Sequence, residues 1–400
     1  MKVAVVHPLK HHVYHSMAGA MRSGAEVIGL FGYYDKNDII DRLIKKTKYK
    51  SLVEGYQYPQ ISKCVKTNPF IKILFLMSKL GYKPLKIIYK KAFEKWVIYN
   101  IKNVDCIHVL QDYVNEVIRF AHDSNKKIVY EQITVFCDMQ DEVIKNEINK
   151  WNLGNALNIE SVSKGKKERQ IENLEYASVV IGASQTTWES IKKITNKRIY
   201  TFPYGANINT YSDDELESLI KTKKNSGELK VLYVGSIGLI KGVRYIIKAA
   251  EKLKDTNIRF TFVGKPLSEI DKNIIKKIIS MNNCVYIESI PHTRINELYR
   301  QHDVFVFQSL CDGFGMVTLE AMSNGLPCIV SEGGRGIIRD GIDGFINKNG
   351  DFDSISKQLL RLHNDRNLLC EMSRQALISA KNCTWEVFEK NIKNVYDAMI

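Results

Sequence analysis

The run from Asp303-Val-Phe-Val-Phe-Gln308 through Asp312-Gly313-Phe314-Gly315 to Met316-Val317-Thr318-Leu319-Glu320-Ala321 constrains the fold more than any other part of the chain. Its opening, apolar and rich in β-branched and aromatic residues, reads as a buried strand. Two glycines then bracket a tight turn, and a short helix follows that Gly325 and Pro327 bring to a close. Cys328-Ile-Val-Ser331 is a second strand, leading to a glycine turn at Gly333-Gly334. Strand, loop, helix and strand make a βαβ unit, which binds its ligands at the carboxyl ends of the strands.

The turn has the chemistry of an anion site. Glycines let a backbone approach an anion closely, and the first free N–H groups of a helix point at a phosphate. Asp312 and Glu320 stand on either side with seven residues between them. Glu320, about one helical turn in, reaches a diol such as a ribose, and Asp312 lies on the other side of the phosphates. Gly-x-Gly is common after apolar strands and an acid in a first helical turn is often only a dipole partner, so the order of elements around the motif carries the reading.

From Leu229 onward the chain resembles the nucleotide-sugar half of the GT-B glycosyltransferases, specifically the retaining group called family 4. The Glu-x7-Glu signature of that family stands here as Asp312-x7-Glu320. The match extends to Val231-Leu-Tyr-Val-Gly235, Lys241-Gly242-Val243, Phe262-Val263-Gly264, Pro327, Asp340-Gly341, Gly344-Phe345 and Trp385-Glu386, over roughly 170 residues. In the first half the resemblance rests on Glu175 to Ser184 and on Pro203-Tyr-Gly205-Ala-Asn207. It implies an α/β fold of GT-B type, two Rossmann-like domains facing across a cleft, with the donor in the second and the acceptor in the first.

Strands are expected near 2–7, 26–31, 106–110, 127–130, 179–183 and 199–202, and again near 230–234, 259–263, 285–287, 304–307 and 328–331. The domains are residues 1–208 and 209–384, joined by a polar linker at 212–228, with a helix at about 385–400 assigned to the first domain by resemblance alone. No run approaches the length of a membrane span, and residues 1–7 do not form a signal-peptide core. The eight scattered cysteines, with no Cys-x-x-Cys pair, suit reduced thiols in a cytoplasmic protein.

A net charge of +14 implies an anionic partner. Lys45, Lys46, Lys48 and Lys50 form one cluster, and Lys83, Lys86, Lys90, Lys91, Lys95 and Lys102 form another against the single acid Glu94. Interleaved Leu85, Ile87, Ile88, Tyr89, Phe93, Trp96, Val97 and Tyr99 give the second cluster the pattern of a basic amphipathic helix at an anionic membrane; a core-facing helix with a solvated lysine face fits equally. No nucleic-acid-binding signature is present, which makes that partner a minor option.

The resemblance implies that Lys241 contacts the donor diphosphate. It implies further that Asp312 holds sugar hydroxyls, that Glu320 holds the ribose, and that backbone N–H groups around Gly313, Phe314, Gly315, Met316 and Val317 hold phosphate and sugar. Gly235, Ser236, Val263, Gly264, Ile290 and Pro291 complete the expected donor site. Two departures stand out: Ser236 replaces a basic residue, with Arg244 a substitute source of charge, and Asp312 replaces glutamate, shortening the reach by about 1.5 Å. The family often places a first-domain histidine near the sugar. Residues 131–136 offer none, leaving His108 or the His11, His12 and His15 group, and His108 is equally well a core histidine. No metal and no cofactor are expected.

The activity implied is metal-independent, retaining transfer of a hexose-type sugar from a nucleoside diphosphate to a glycan or lipid-linked acceptor in polysaccharide or lipopolysaccharide synthesis, at the inner membrane face. A nucleotide-sugar epimerase and a non-catalytic sugar-nucleotide-binding subunit are the alternatives. Acceptor contacts are expected from loops 8–16, 50–70 and 131–160.

Overall fold

The computed structural model describes residues 1–9, 11–47, 49–50, 53, 55–79, 83–154, 165–208, 211, 213–291 and 294–399. Two parallel sheets organise them. The first holds β1 (Lys2–His7), β2 (Glu26–Phe31), β3 (Val65–Lys66), β4 (Cys106–Leu110), β5 (Lys127–Gln132), β6 (Val179–Gly182) and β7 (Ile199–Thr201), in the order β3-β2-β1-β4-β5-β6-β7. The second holds β8 (Leu229–Val234), β9 (Ile258–Val263), β10 (Cys284–Ile287), β11 (Val304–Phe307), β12 (Cys328–Ser331) and β13 (Gly344–Asn347), in the order β10-β9-β8-β11-β12-β13. In each, the first strand of the sequence lies inside the sheet and the order turns back on its far side. Helices cover both faces of such sheets, which is why β11 is apolar throughout and fully buried.

All eleven expected strands form. The short, glycine-led β13 and the two-residue β3 were not foreseen. The expected linker is also different: Ser212 lies outside the described residues, and Asp213–Asn225 is a helix packed against the helix Arg366–Lys381. The stretch is polar, but its leucine, lysine and glutamate content favours helix, and no glycine interrupts it before Gly227. Its Lys223 is buried and donates to the His302 carbonyl at 2.6 Å.

The final helix, Trp385–Asp397, lies along the helix Val13–Arg22 of the first half. Gly19 permits the approach, since a Cβ there would lie 2.6 Å from that of Ile392. Glu389 reinforces it, meeting His15 Nδ1 at 2.9 Å and Arg22 Nη2 at 2.8 Å.

Candidate active site

Residues from three neighbouring strands meet at the carboxyl edge of the second sheet. Gly235 and Ser236 leave β8, Val263 and Gly264 leave β9, and Ser309 to Asp312 leave β11. The order reverses between β8 and β11, the switch point at which open α/β sheets bind ligands. Ladder bonds persist to the edge, with the Gly235 N–H on the Val263 carbonyl and the Gly264 N–H on the Ile287 carbonyl, both at 3.0 Å. Beyond β10, Ile290 is half-buried and Pro291 exposed.

Lys241 ends a 3-10 turn, Leu239–Lys241, that Gly242 terminates in the left-handed region at φ 64°. A Cβ on Gly242 would sit 1.9 Å from the Gln308 carbonyl oxygen, so glycine is what lets this turn rest on the end of β11. Lys241 Nζ is thereby delivered to within 2.6 Å of Asp312 Oδ2. Arg244 instead places its guanidinium over the Trp151 ring, 5.5 Å from the centroid.

Asp312 departs from expectation. Its Oδ1 accepts from the backbone N–H groups of Phe314 at 3.2 Å and Gly315 at 2.9 Å, and Oδ2 receives Ser309 Oγ at 3.3 Å as well as Lys241. Two of the N–H groups expected to face phosphate are thus turned in on the motif's own acid. A short aspartate readily folds back onto the backbone two and three residues ahead, as in Asx-turns. Met316 and Val317, both half-buried, begin the helix Met316–Ser323 directly after Gly315.

Glu320 takes a different position. It accepts from the Tyr299 hydroxyl at 3.2 Å and lines a cavity of about 590 Å³ between the two halves, with Met316 on its own side and His11, His12 and Tyr58 opposite. Lys241 and Asp312 do not line that cavity. The first half also grips the turn: the Gly313 carbonyl accepts from Ser184 Oγ at 2.5 Å and Thr187 Oγ1 at 2.9 Å.

His108 lies away from the cavity. It is fully buried, its Nε2 2.6 Å from Glu131 Oε1 and its Nδ1 2.9 Å from the Tyr396 hydroxyl. This corrects its placement beside the sugar: it belongs to the core behind Glu131. Glu131 was not singled out as a site residue, although a Glu-Gln pair ending an otherwise apolar strand signals a buried polar function. It gathers His12 Nε2 at 2.6 Å and Ser16 Oγ at 2.5 Å besides His108. Burial pushes the Glu131 carboxyl up, but His12 and His108 outweigh it and hold the group well below the usual carboxylate range.

The helix Lys83–Asn100 combines both expected characters. Tyr89, Phe93 and Val97 are buried, whereas Ile87 and Ile88 are 58% and 50% exposed beside the exposed Lys86, Lys90 and Lys91. Lys48 and the expected acceptor-loop residues 10, 51, 52, 54 and 155–160 lie outside the described residues. Among the described residues no helix is long and apolar enough to cross a membrane, and no three His, Cys, Asp or Glu side chains are grouped to hold a metal. The eight cysteines are all free.

Residues 214–378 match the family model for "Glycosyl transferases group 1". An Escherichia coli UDP-Gal:alpha-D-GlcNAc-diphosphoundecaprenol alpha-1,3-galactosyltransferase is 27% identical over 224 residues, 51% of this chain and 55% of that protein. Sulfoquinovosyl transferase SQD2 of Arabidopsis thaliana is 27% identical over 169 residues, 41% of this chain and 32% of that one. The chain thus spans about half, or less, of the length of these curated relatives. Anabaena HepE in complex with UDP-glucose superposes over the whole of both chains with a TM-score of 0.65 at 15% identity. Sucrose-phosphate synthase from Thermosynechococcus elongatus superposes over 100% of this chain and 99% of that one, with a TM-score of 0.67 at 15% identity. At these identities the likeness is one of fold.

Proposed function

From a chain whose residues 214–378 are a group 1 glycosyltransferase domain set in a GT-B fold, we propose a metal-independent, retaining glycosyltransferase of family 4 that draws on a nucleoside diphosphate sugar. The observation that carries this reading is the Lys241–Asp312 pair, 2.6 Å apart at the switch point of the second sheet. A diphosphate entering there meets a cation already held in place. Its oxygens replace Asp312 as the partner of Lys241, and the freed carboxylate turns to the hydroxyls of the donor sugar. Glu320, facing the cavity, holds the ribose diol. Lys241 then neutralises the leaving diphosphate as the anomeric bond breaks, an effect of several kcal/mol for a preorganised charge.

The sugar is read as a hexose and the acceptor as a glycan or a lipid-linked glycan in cell-surface polysaccharide synthesis. A relative named for a diphosphoundecaprenol acceptor supports the lipid-linked class, and HepE structures with UDP and UDP-glucose make UDP the first nucleotide to test. The exposed lysines and isoleucines of Lys83–Asn100 favour work at an anionic inner membrane face from the cytoplasm. A non-catalytic donor-binding subunit is the second reading, favoured by Asp312 being committed to its own turn.

Thermal shift of the purified chain against UDP-, GDP- and ADP-sugars without metal tests the site. Stabilisation by one donor that is lost in Lys241→Ala and in Glu320→Ala supports it. No shift with any donor would count against it, and a shift without turnover on any acceptor would favour the binding subunit.

A further inference from the structure

We propose that the first half grips a lipid-linked acceptor by its diphosphate, in a basic cavity between the helices Lys83–Asn100, Asn115–Asp123 and Lys166–Tyr176, with the adjoining sugar in an apolar pocket at the carboxyl edge of the first sheet. The inference rests on the glycosyl-transfer reading above for its substrate class, and it names the residues that hold the acceptor.

Strand order in the first sheet turns back between β1 and β4, the switch point at which an open α/β sheet receives a ligand. The chain leaving those two strands lines a pocket of about 380 Å³. Pro8 and Leu9 come from the end of β1, Asp112 and Tyr113 from the end of β4, and Tyr89 from the helix Lys83–Asn100. Such apolar and aromatic walls suit the faces of a sugar ring, and Asp112 offers an acceptor for its hydroxyls. Asp112 stands in the left-handed region at φ 64°. Its Oδ2 accepts from Gln170 Nε2 at 2.7 Å, while its Oδ1 is buried and has no partner among the described residues. Uncommon backbone geometry and an unsatisfied carboxylate oxygen together point to a ligand more than to packing.

Asp112 and Lys90 also line a second cavity, of about 700 Å³, where five cations meet: Lys90, Lys91, Arg119, Lys166 and Arg169. Two of these are committed, Arg119 to Glu116 and Glu172, and Lys166 to Asp112. Lys91 and Arg169 have no acid partner among the described residues. The cavity's buried acid is Glu94, whose Oε1 has no partner there either. Burial pushes the Glu94 carboxyl up, and Lys90 offsets part of that. An arriving anion raises it further, so that the acid can donate a hydrogen to a phosphate oxygen instead of repelling it.

Cations with charge to spare, joined to an apolar pocket, fit a molecule with both characters. The diphosphate lies on Lys90, Lys91 and Arg169, and the sugar extends toward Asp112 and Tyr113. The prenyl chain leaves past Ile87, an exposed residue of the same cavity. The sugar end leads to the cavity between the two halves, which His11 lines two residues beyond Leu9.

Titration of the full chain with farnesyl diphosphate, its glucosyl ester and farnesol tests the site. The glucosyl ester is expected to bind most tightly and farnesol most weakly. Lys91→Ala with Arg169→Ala is expected to weaken both diphosphates by about 10-fold or more. Lys193→Ala with Lys197→Ala removes the same charge from exposed positions outside the cavity, and is expected to change binding by less than about twofold. Tyr113→Leu keeps the wall apolar and is expected to remove the gain contributed by glucose. Equal losses in the two double variants would assign binding to diffuse surface charge and overturn the site. Farnesol binding as tightly as its diphosphate overturns it too, as does an equal loss in Lys241→Ala, which puts the probe in the donor site. A glucosyl ester no tighter than farnesyl diphosphate overturns the sugar pocket. Donor binding without probe binding removes this site alone, whereas probe binding by a chain that takes no sugar nucleotide keeps the site and removes the glycosyltransferase reading.

Discussion

Lys241 Nζ lies 2.6 Å from Asp312 Oδ2 while the other oxygen of that carboxylate accepts the Gly315 N–H at 2.9 Å. The aspartate thus occupies, from within the protein, both the cation and the turn that a diphosphate would use. Asp312→Asn weakens its hold on Lys241, so calorimetric titration should show nucleoside diphosphate binding kept or tightened, with the added affinity for the sugar lost. Lys241→Ala should lower kcat/KM by about 10²–10³, the cost of removing one preorganised electrostatic contact. Equal loss of sugar and nucleotide affinity in Asp312→Asn would contradict the assigned division of roles.

Gly313 joins the Asp312–Glu320 segment to the first half. A Cβ there would lie 2.1 Å from the Ile133 carbonyl oxygen, a backbone atom that no side-chain movement relieves. Gly313→Ala should therefore cost on the order of 1–3 kcal/mol, the range for overpacking a filled site, or force the halves apart. Urea unfolding reads the first outcome and small-angle scattering the second. Thr187→Val removes one donor to the Gly313 carbonyl and should cost about 1 kcal/mol without changing the dimensions of the protein.

Stability should fall with acid through two histidines held low by burial. Burial, partly offset by a hydrogen bond to the Leu9 carbonyl, lowers the fully buried His7 to about 4, and His11 is lowered to about 3. Both have folded values below the ordinary 6.5, so as the pH drops the unfolded chain binds protons first. The stabilisation is complete above about pH 6.5 and is lost as the pH falls through about 4 and then 3. Linkage gives about 3 kcal/mol for His7. Urea midpoints between pH 7 and 4 should decline in wild type and decline less steeply in His7→Phe, where the His11 contribution remains; a flat wild-type profile excludes the effect.

The strand framework was legible because parallel strands covered on both faces are apolar runs, and β1 and β11 are such runs with no competing helical period. Asp312 and Glu320 stood out in the sequence because glycines set the path of the turn between them, whereas Lys241, 71 positions from Asp312, stood out only through the resemblance at Lys241-Gly242. The orientation of Asp312 was not legible, since an acid beside free N–H groups can hold a ligand or its own turn, and only three-dimensional distances separate the two. Glu131 was harder still. Its partners His12 and His108 are 119 and 23 positions away in sequence, and nothing local marks them as neighbours. The helix Asp213–Asn225 was misread because polarity was taken for a linker when its propensity favours helix.

The outer face of Lys83–Asn100 separates two explanations of the net positive charge. Its inner residues Tyr89, Phe93 and Val97 satisfy the core, so the packing of the helix does not require Ile87 and Ile88 to be apolar. Isoleucines that exposed between lysines are costly in water and useful at a lipid surface, where each nearby lysine contributes about 1 kcal/mol toward anionic headgroups. Replacing Lys86, Lys90 and Lys91 together by glutamate should therefore weaken binding to phosphatidylglycerol-containing vesicles by at least two orders of magnitude and leave the melting temperature within a few degrees of wild type. Ile87→Ser with Ile88→Ser should weaken it at all salt concentrations, since the apolar contribution is not screened, whereas the lysine contribution should fade as salt is raised. Sedimentation with neutral and anionic vesicles in equal amounts would assign the lysines to solvation alone.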